Sequence, residues 1–228
     1  MAQNVGNAKN ILVGASPLFI SNIDVTDSDY VQNAEPGSGD FAYQSGVSFT
    51  KTLNDIDQVA GEFGYRNVGY TNNGLQVTYN PSYGSVTVDQ LLDTAKLFKE
   101  SMEVMIATEM AEGTLENVLT VFGQRSTTLA STGTGAGAQD KLGIAGGALG
   151  EAPTERQLIA VGQAPTSEAT ATERVYYARR VLSVQQSQFS LARNAASTFP
   201  VTFRLLPDGS SANVGQEYGF IVDRVLTI

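Results

Sequence analysis

The side chains able to do chemistry in this chain are carboxylates, amines, phenols and hydroxyls, because its 228 residues include no histidine and no cysteine. Without imidazole or thiol there is no Ser-His or Cys-His nucleophile, and zinc loses its usual nitrogen and sulfur ligands. Disulfides are excluded as well. Carboxylates are plentiful, with 23 Asp and Glu. A glycosidase needs two of them about 5 to 10 Å apart in a cleft, and no spacing marks out such a pair. Asp24, Asp27, Asp29 and Glu35 are crowded enough to suggest a calcium loop. Counted from Asp24, however, the third and fifth ligand positions of an EF-hand hold Thr26 and Ser28, and the turn-glycine position holds Asp29. Asx-turns and solvation of a strand end account for the same acids.

Gly133-Thr134-Gly135-Ala136-Gly137-Ala138 matches the loose dinucleotide pattern G-x-G-x-x-A. That pattern works only between a buried strand and a helix, with an acid about 20 residues on. Glu151 or Glu155 stands near that place without the other two parts, and a flexible surface loop explains the composition. Lys141 follows Asp140 rather than glycine, so there is no P-loop either. The expectation is therefore no catalytic residue, no cofactor and no metal.

The elements that would carry any site read as strands. Gly74–Tyr79 and Tyr83–Asp89 alternate apolar and polar residues about Asn80-Pro81-Ser82, a turn signal, and predict a hairpin. After a linker around Asp93–Glu100, Met102, Val104 and Ile106 alternate with Glu103 and Met105 as a third strand. Thr114 opens a short helix whose Leu115, Val118, Leu119 and Phe122 follow helical spacing until Gly123 stops it. Further strands are predicted near 18–25, over Gln157–Val161, Thr172–Val184, Ser187–Ala192, Val201–Leu205 and Tyr218–Val225, with Pro207-Asp208-Gly209 as a turn. The fold class is mainly β: an antiparallel sandwich or partial barrel with one flanking helix at about 112–122. Residues 1–228 read as a single domain with long loop insertions at about 35–65 and 126–153. The first of these reads as a long hairpin or lid, because apolar residues such as Val47, Phe49 and Leu53 persist in it.

Charged residues make up only 16 % of the chain, against about 25 % in a typical soluble protein. Abundant Ser, Thr, Asn and Gln solvate a surface without charge, but the deficit also fits a surface that meets other subunits. A formal net charge of −9 argues against gripping nucleic acid, which takes clustered Lys and Arg. The amino terminus lacks the basic and apolar regions of a signal peptide, and no run approaches the ~20 apolar residues that span a bilayer. Assembly in the cytoplasm without a membrane is the expectation.

Three segments carry a resemblance: Asn73-Gly74-Leu75-Gln76-Val77, Val86-Thr87-Val88-Asp89-Gln90-Leu91-Leu92-Asp93 and Ala111-Glu112-Gly113-Thr114-Leu115-Glu116-Asn117. In order and wording this stretch resembles the major tail tube proteins of tailed bacteriophages, over residues 66–123 and more loosely over 173–223. The resemblance implies a β-sandwich subunit with a helix on its flank. Six copies would close into a ring, and rings would stack into a hollow tube that conducts DNA during genome ejection. The implied partners are the chain itself, a tape-measure protein, tail-end proteins, and DNA that passes without specific binding. Six copies would carry a charge of about −54, a field that would keep a polyanion from sticking if the acids line the lumen.

On that reading the polar phase of the strands supplies the lumen candidates: Gln76, Thr78, Ser85, Thr87, Asp89, Glu103 and Glu109. Ordinary solvent exposure on a free surface is the alternative for each. The segment at 35–65 would reach a neighbouring ring, or would be an Ω-type excursion on its own subunit. Adjacent Arg179 and Arg180 point to opposite faces of a strand. They are the candidates for pairing across a subunit boundary, the alternative being solvated charges beside Glu173. A different class of function, a carbohydrate- or receptor-binding β-sandwich module of a virion, would use the nine Tyr and ten Phe. It requires exposed aromatics, whereas Tyr79, Phe122 and Phe203 fall on apolar faces, and tryptophan is absent.

Overall fold

The computed structural model describes residues 16–21, 65–165, 172–189, 191, 193–194, 196–209 and 213–225. The acids at 24–35, the strand positions beyond Ser21 and the loop expected at 35–65, apart from Tyr65, lie outside them. Among the described residues ten strands and one α-helix follow in order: β1 (Leu18–Ser21), β2 (Tyr65–Asn67), β3 (Thr71–Val86), β4 (Lys96–Met110), α1 (Leu115–Val121), β5 (Leu129–Thr132), β6 (Gln139–Leu142), β7 (Arg156–Gln163), β8 (Thr172–Ser183), β9 (Phe199–Leu205) and β10 (Gly219–Val225).

The main sheet is antiparallel in every pairing and runs β2-β1-β7-β8-β9-β4-β3, with β10 attached to β8. Among the described residues it does not close into a barrel. Along one edge β8 pairs with β7; along the other, β10 accompanies Thr172–Ala178 and β9 accompanies only Val181–Ser183. The sheet therefore divides at β8, and its two wings fold over one core. Leu18, Ile20, Leu158, Ala160 and Ala178 come from one wing, and Val104, Ile106, Met110, Val201, Phe203 and Leu205 from the other. The opposite phase of the first wing is buried too, through Phe19, Ile159, Val161, Val175 and Tyr177. Burial on both faces is what the unbroken apolar runs at 18–20 and 158–161 require. Mainly β, antiparallel and sandwich-like with one helix is thus the architecture expected from the alternation.

The helix begins where Thr114 Oγ1 accepts the Asn117 N–H at 3.3 Å. It ends where Gly123 and Gln124 donate to Thr120 and Leu119, a Schellman arrangement. Its bounds, Leu115–Val121, are tighter than the expected 112–122. Asn117 anchors it to the sheet. Its amide donates to the carbonyls of Val68 and Glu112 at 2.9 Å, and its Oδ1 accepts from Arg66. Arg66 also donates to the Glu116 carbonyl and Thr120 Oγ1, both at 2.8 Å.

Three expectations are corrected. Asn80-Pro81-Ser82 is not a turn, because β3 runs through it as one 16-residue strand, and the reversal comes at 87–95, closed by Ala95 N–H to the Val86 carbonyl. The partner strand β4 starts at Lys96, inside the expected linker. An edge strand tolerates proline because one side of its backbone has no ladder bond to lose, and β3 is such an edge. The segment 126–153 is not a structureless loop: β5 and β6 pair within it from Leu129↔Leu142 to Thr132↔Gln139. The glycine pattern at 133–138 is the turn of that hairpin, followed by a strand and not a helix. Finally, no strand forms over the described part of Ser187–Ala192.

Candidate assembly surface

In β4 the residues Val104, Ile106, Thr108 and Met110 are buried while Glu103, Met105, Ala107 and Glu109 between them are half-buried. β9 covers the other edge from Met105↔Arg204 to Met110↔Phe199, and the alternation runs on to Glu103 and Val104 just beyond it. Above that level the β3–β4 ladder continues without a third strand among the described residues, through Tyr79↔Val104 and Pro81↔Met102 to Val86↔Lys96. The upper half of the hairpin is therefore a two-stranded arm.

The arm keeps the apolar phase of the core without the core. Val77 and Tyr79 pair with the buried Ile106 and Val104 and share their face, yet Tyr79 is 58 % exposed. Tyr83 and Leu97 are exposed further out on that phase, Val86 and Phe98 are exposed on the other, and Val88, Leu91 and Leu92 are exposed in the turn. A patch of this kind on a monomer marks an interaction site or an aggregation hazard. The exposure of Tyr79 also corrects the expectation that it is covered; Phe203, on the same reading, is core.

The opposite phase is polar. Gln76 and Thr78 lie across from Ala107 and Met105, and Asn80 across from Glu103. Glu103 pairs at 3.6 Å with Arg204 on β9, and Glu109 Oε2 accepts from Asn72 Nδ2 at 3.2 Å. Thr202 donates to Gln185 at 2.9 Å beside them, closing a shallow recess with Asn73 and Gln76. Gln76, Thr78, Glu103 and Glu109 thus form one polar face turned away from the core. Ser85 does not share this face: along β3 it follows Val77, Tyr79 and Tyr83 in phase and pairs with Leu97, which corrects its grouping with Gln76 and Thr78. Thr87 and Asp89 lie in the turn, beyond β3.

A second irregularity marks the root of the arm. Between Asn72↔Glu109 and Gln76↔Ala107, β3 carries three residues against Thr108 alone. Asn73 and Gly74 take φ of 61° and 67° there, and Thr108 Oγ1 donates to the Gly74 carbonyl at 2.9 Å. Bulges bend a strand and raise its twist. This one lies where the hairpin leaves the body, and Asn73-Gly74 was readable as a special-φ pair.

The paired arginines on β8 both have partners within the subunit. Arg179 is 2 % exposed, donates to the Gln216 carbonyl at 3.0 Å and stacks over Tyr177 and Phe220. Arg180 donates from Nε and Nη2 to the Glu155 carboxylate, at 2.6 and 2.8 Å, and from Nη1 to the Pro207 carbonyl. The strand geometry does place them on opposite faces, but each is engaged within its own subunit. Adjacent charges gave no sequence signal of that, since their partners are 25 to 37 residues away. The exposed ion pair of β8 is instead Arg174 with Asp223 on β10, at 2.6 Å. The hydrogen bond from Arg174 holds the Asp223 carboxyl below its ordinary range and raises the guanidinium in turn.

Among the described residues no group of His, Asp or Glu has metal-site geometry, and no helix is long and apolar enough to cross a membrane. Compared with known proteins, the chain matches no family model and has no significant match among curated sequences.

Proposed function

We propose that this chain is the structural subunit of a phage tail tube: a protein that associates with itself into rings, which stack into a hollow conduit for DNA in the virion tail. The observation that carries the reading is the β3–β4 arm, a two-stranded ladder whose apolar phase runs on past the core and stays exposed. A monomer gains nothing from such an arm, whereas a neighbouring copy covers it. The wording of residues 66–123 supports the same reading, and the ring number of six rests on that resemblance alone. The polar face of Gln76, Thr78, Glu103 and Glu109 supplies a surface with two carboxylates and one ion-paired arginine, suited to repelling rather than holding DNA. A tape-measure protein in the lumen and tail-end proteins at the termini complete the set of partners.

Negative-stain electron microscopy of the purified full chain tests this. Rings or tubes are the expected outcome, and monodisperse particles at high concentration would sink it. The exposed Tyr70, Tyr79 and Tyr83 favour a second reading, a carbohydrate- or receptor-binding module, because exposed aromatic rings stack on sugars. Glycan-array binding by a persistent monomer is the result that would select it.

A further inference from the structure

Resting on the assembly reading, we infer that adjacent copies join by strand addition: the outer edge of β3 in one copy pairs with the outer edge of β10 in the next. Among the described residues β3 ends the sheet, and β10 pairs only with β8. Natural edges of such length are usually blunted by charge. β3 carries no charged residue over its 16 positions. It is interrupted only by Pro81, which removes at most one donor, and by its two register shifts.

The two edges match in length. Between those shifts β3 runs in unbroken register from Gln76 to Ser82, and β10 runs unbroken from Gly219 to Val225. Both stretches are about 24 Å long at strand rise. The other terminal strand of the sheet, β2, has three residues, and Arg66 within it is tied to α1.

The faces match as well. The register Gly219↔Ala178 and Ile221↔Tyr176 puts Ile221 on the core phase of the sheet, where it is 62 % exposed. Gly219 makes this possible, because a Cβ there would strike the Tyr177 carbonyl and push β10 off β8. Val77 and Tyr79 are the exposed core-phase residues of β3. Joining the edges sets Ile221 beside them and continues one apolar face from copy to copy. Because the two edges differ, the contact is head to tail and propagates until it closes.

The absence of native cysteine allows a clean test. The full chain is prepared as Val77→Cys with Ile221→Cys, as Tyr79→Cys with Ile221→Cys, and as each single variant, then oxidised mildly and run on a non-reducing gel. A ladder of multimers from a double variant, with the singles remaining monomeric, is the expected result. No ladder from either double variant, or a dimer from Val77→Cys or Tyr79→Cys alone, overturns the β3–β10 assignment. If the wild type forms tubes and no ladder appears, only the edge assignment falls. If there are neither rings nor ladder, the assembly reading falls with it.

Discussion

The lower and upper halves of the β3–β4 hairpin are built from the same ladder and the same kind of alternation, yet they meet opposite fates. In the lower half, β9 lies alongside β4 and the facing wing covers Val104, Ile106 and Met110. In the upper half, Tyr79 and Tyr83 continue that phase with no third strand beside them among the described residues, and both are exposed. Burial at roughly 25 cal/mol per Å² of apolar surface stabilises the first set within the subunit. The same free energy is left unrealised in the second until something docks. An alternating strand thus specifies a face but not what covers it.

The contrast is most sharply tested by substitution. Phe203→Ala, beneath the lower half, is expected to cost about 3 to 5 kcal/mol by cavity formation, read from the midpoint of urea unfolding. Asn117→Ala leaves the Val68 and Glu112 carbonyls short of a donor and is expected to cost about 2 to 3 kcal/mol in the same assay. At the root of the arm, Gly74→Ala finds open space for its methyl, so only the positive φ opposes it, at about 1 to 2 kcal/mol. If that bulge aims the arm, the variant also yields shorter or fewer tubes, and unaltered tubes would remove the aiming role.

Smaller effects sharpen the picture. Arg174→Gln removes an exposed ion pair and should change stability by no more than about 1 kcal/mol at neutral pH. Since Arg174 depresses the folded-state pKa of Asp223, this contribution is present above the ordinary carboxyl value near 3.9 and is lost as pH falls through the lowered one. The wild-type and variant stability curves should therefore converge in acid, and a gap that widens there contradicts the assignment. On the arm itself, Tyr79→Ser with Phe98→Ser should move monomer stability by under about 0.5 kcal/mol, while abolishing rings in micrographs. A large stability loss would mean that the arm is covered within the subunit after all.

Much of the fold was legible because burial and alternation share a period. The strands at 102–106, 157–161, 201–205 and 219–225 are where their apolar residues place them, and Thr114 and Gly123 bracket the helix as its caps. The polar phase of Gln76, Thr78, Glu103 and Glu109 was legible for the same reason. Asn80-Pro81-Ser82 misled because the cost of a proline in a strand depends on whether a second strand lies against it. Arg179 misled because a long cation is buried whenever carbonyls and rings converge on it, and those arrive from residues 216 and 220. Asn117 and Arg66 gave no signal at all, being two polar residues 51 positions apart.

By itself, the order of residues determined the chemistry that is impossible without histidine or cysteine, the sense of the net charge, and which side of most strands is apolar. These depend on composition and on neighbours two to four residues away. Only the tertiary structure decided which apolar face is covered, where the long hairpin turns, which cations are spent inside the subunit, and that β3 and β10 have open edges among the described residues. Those outcomes depend on strands far apart in sequence meeting or failing to meet, and pairing over such distances leaves no local trace in either partner.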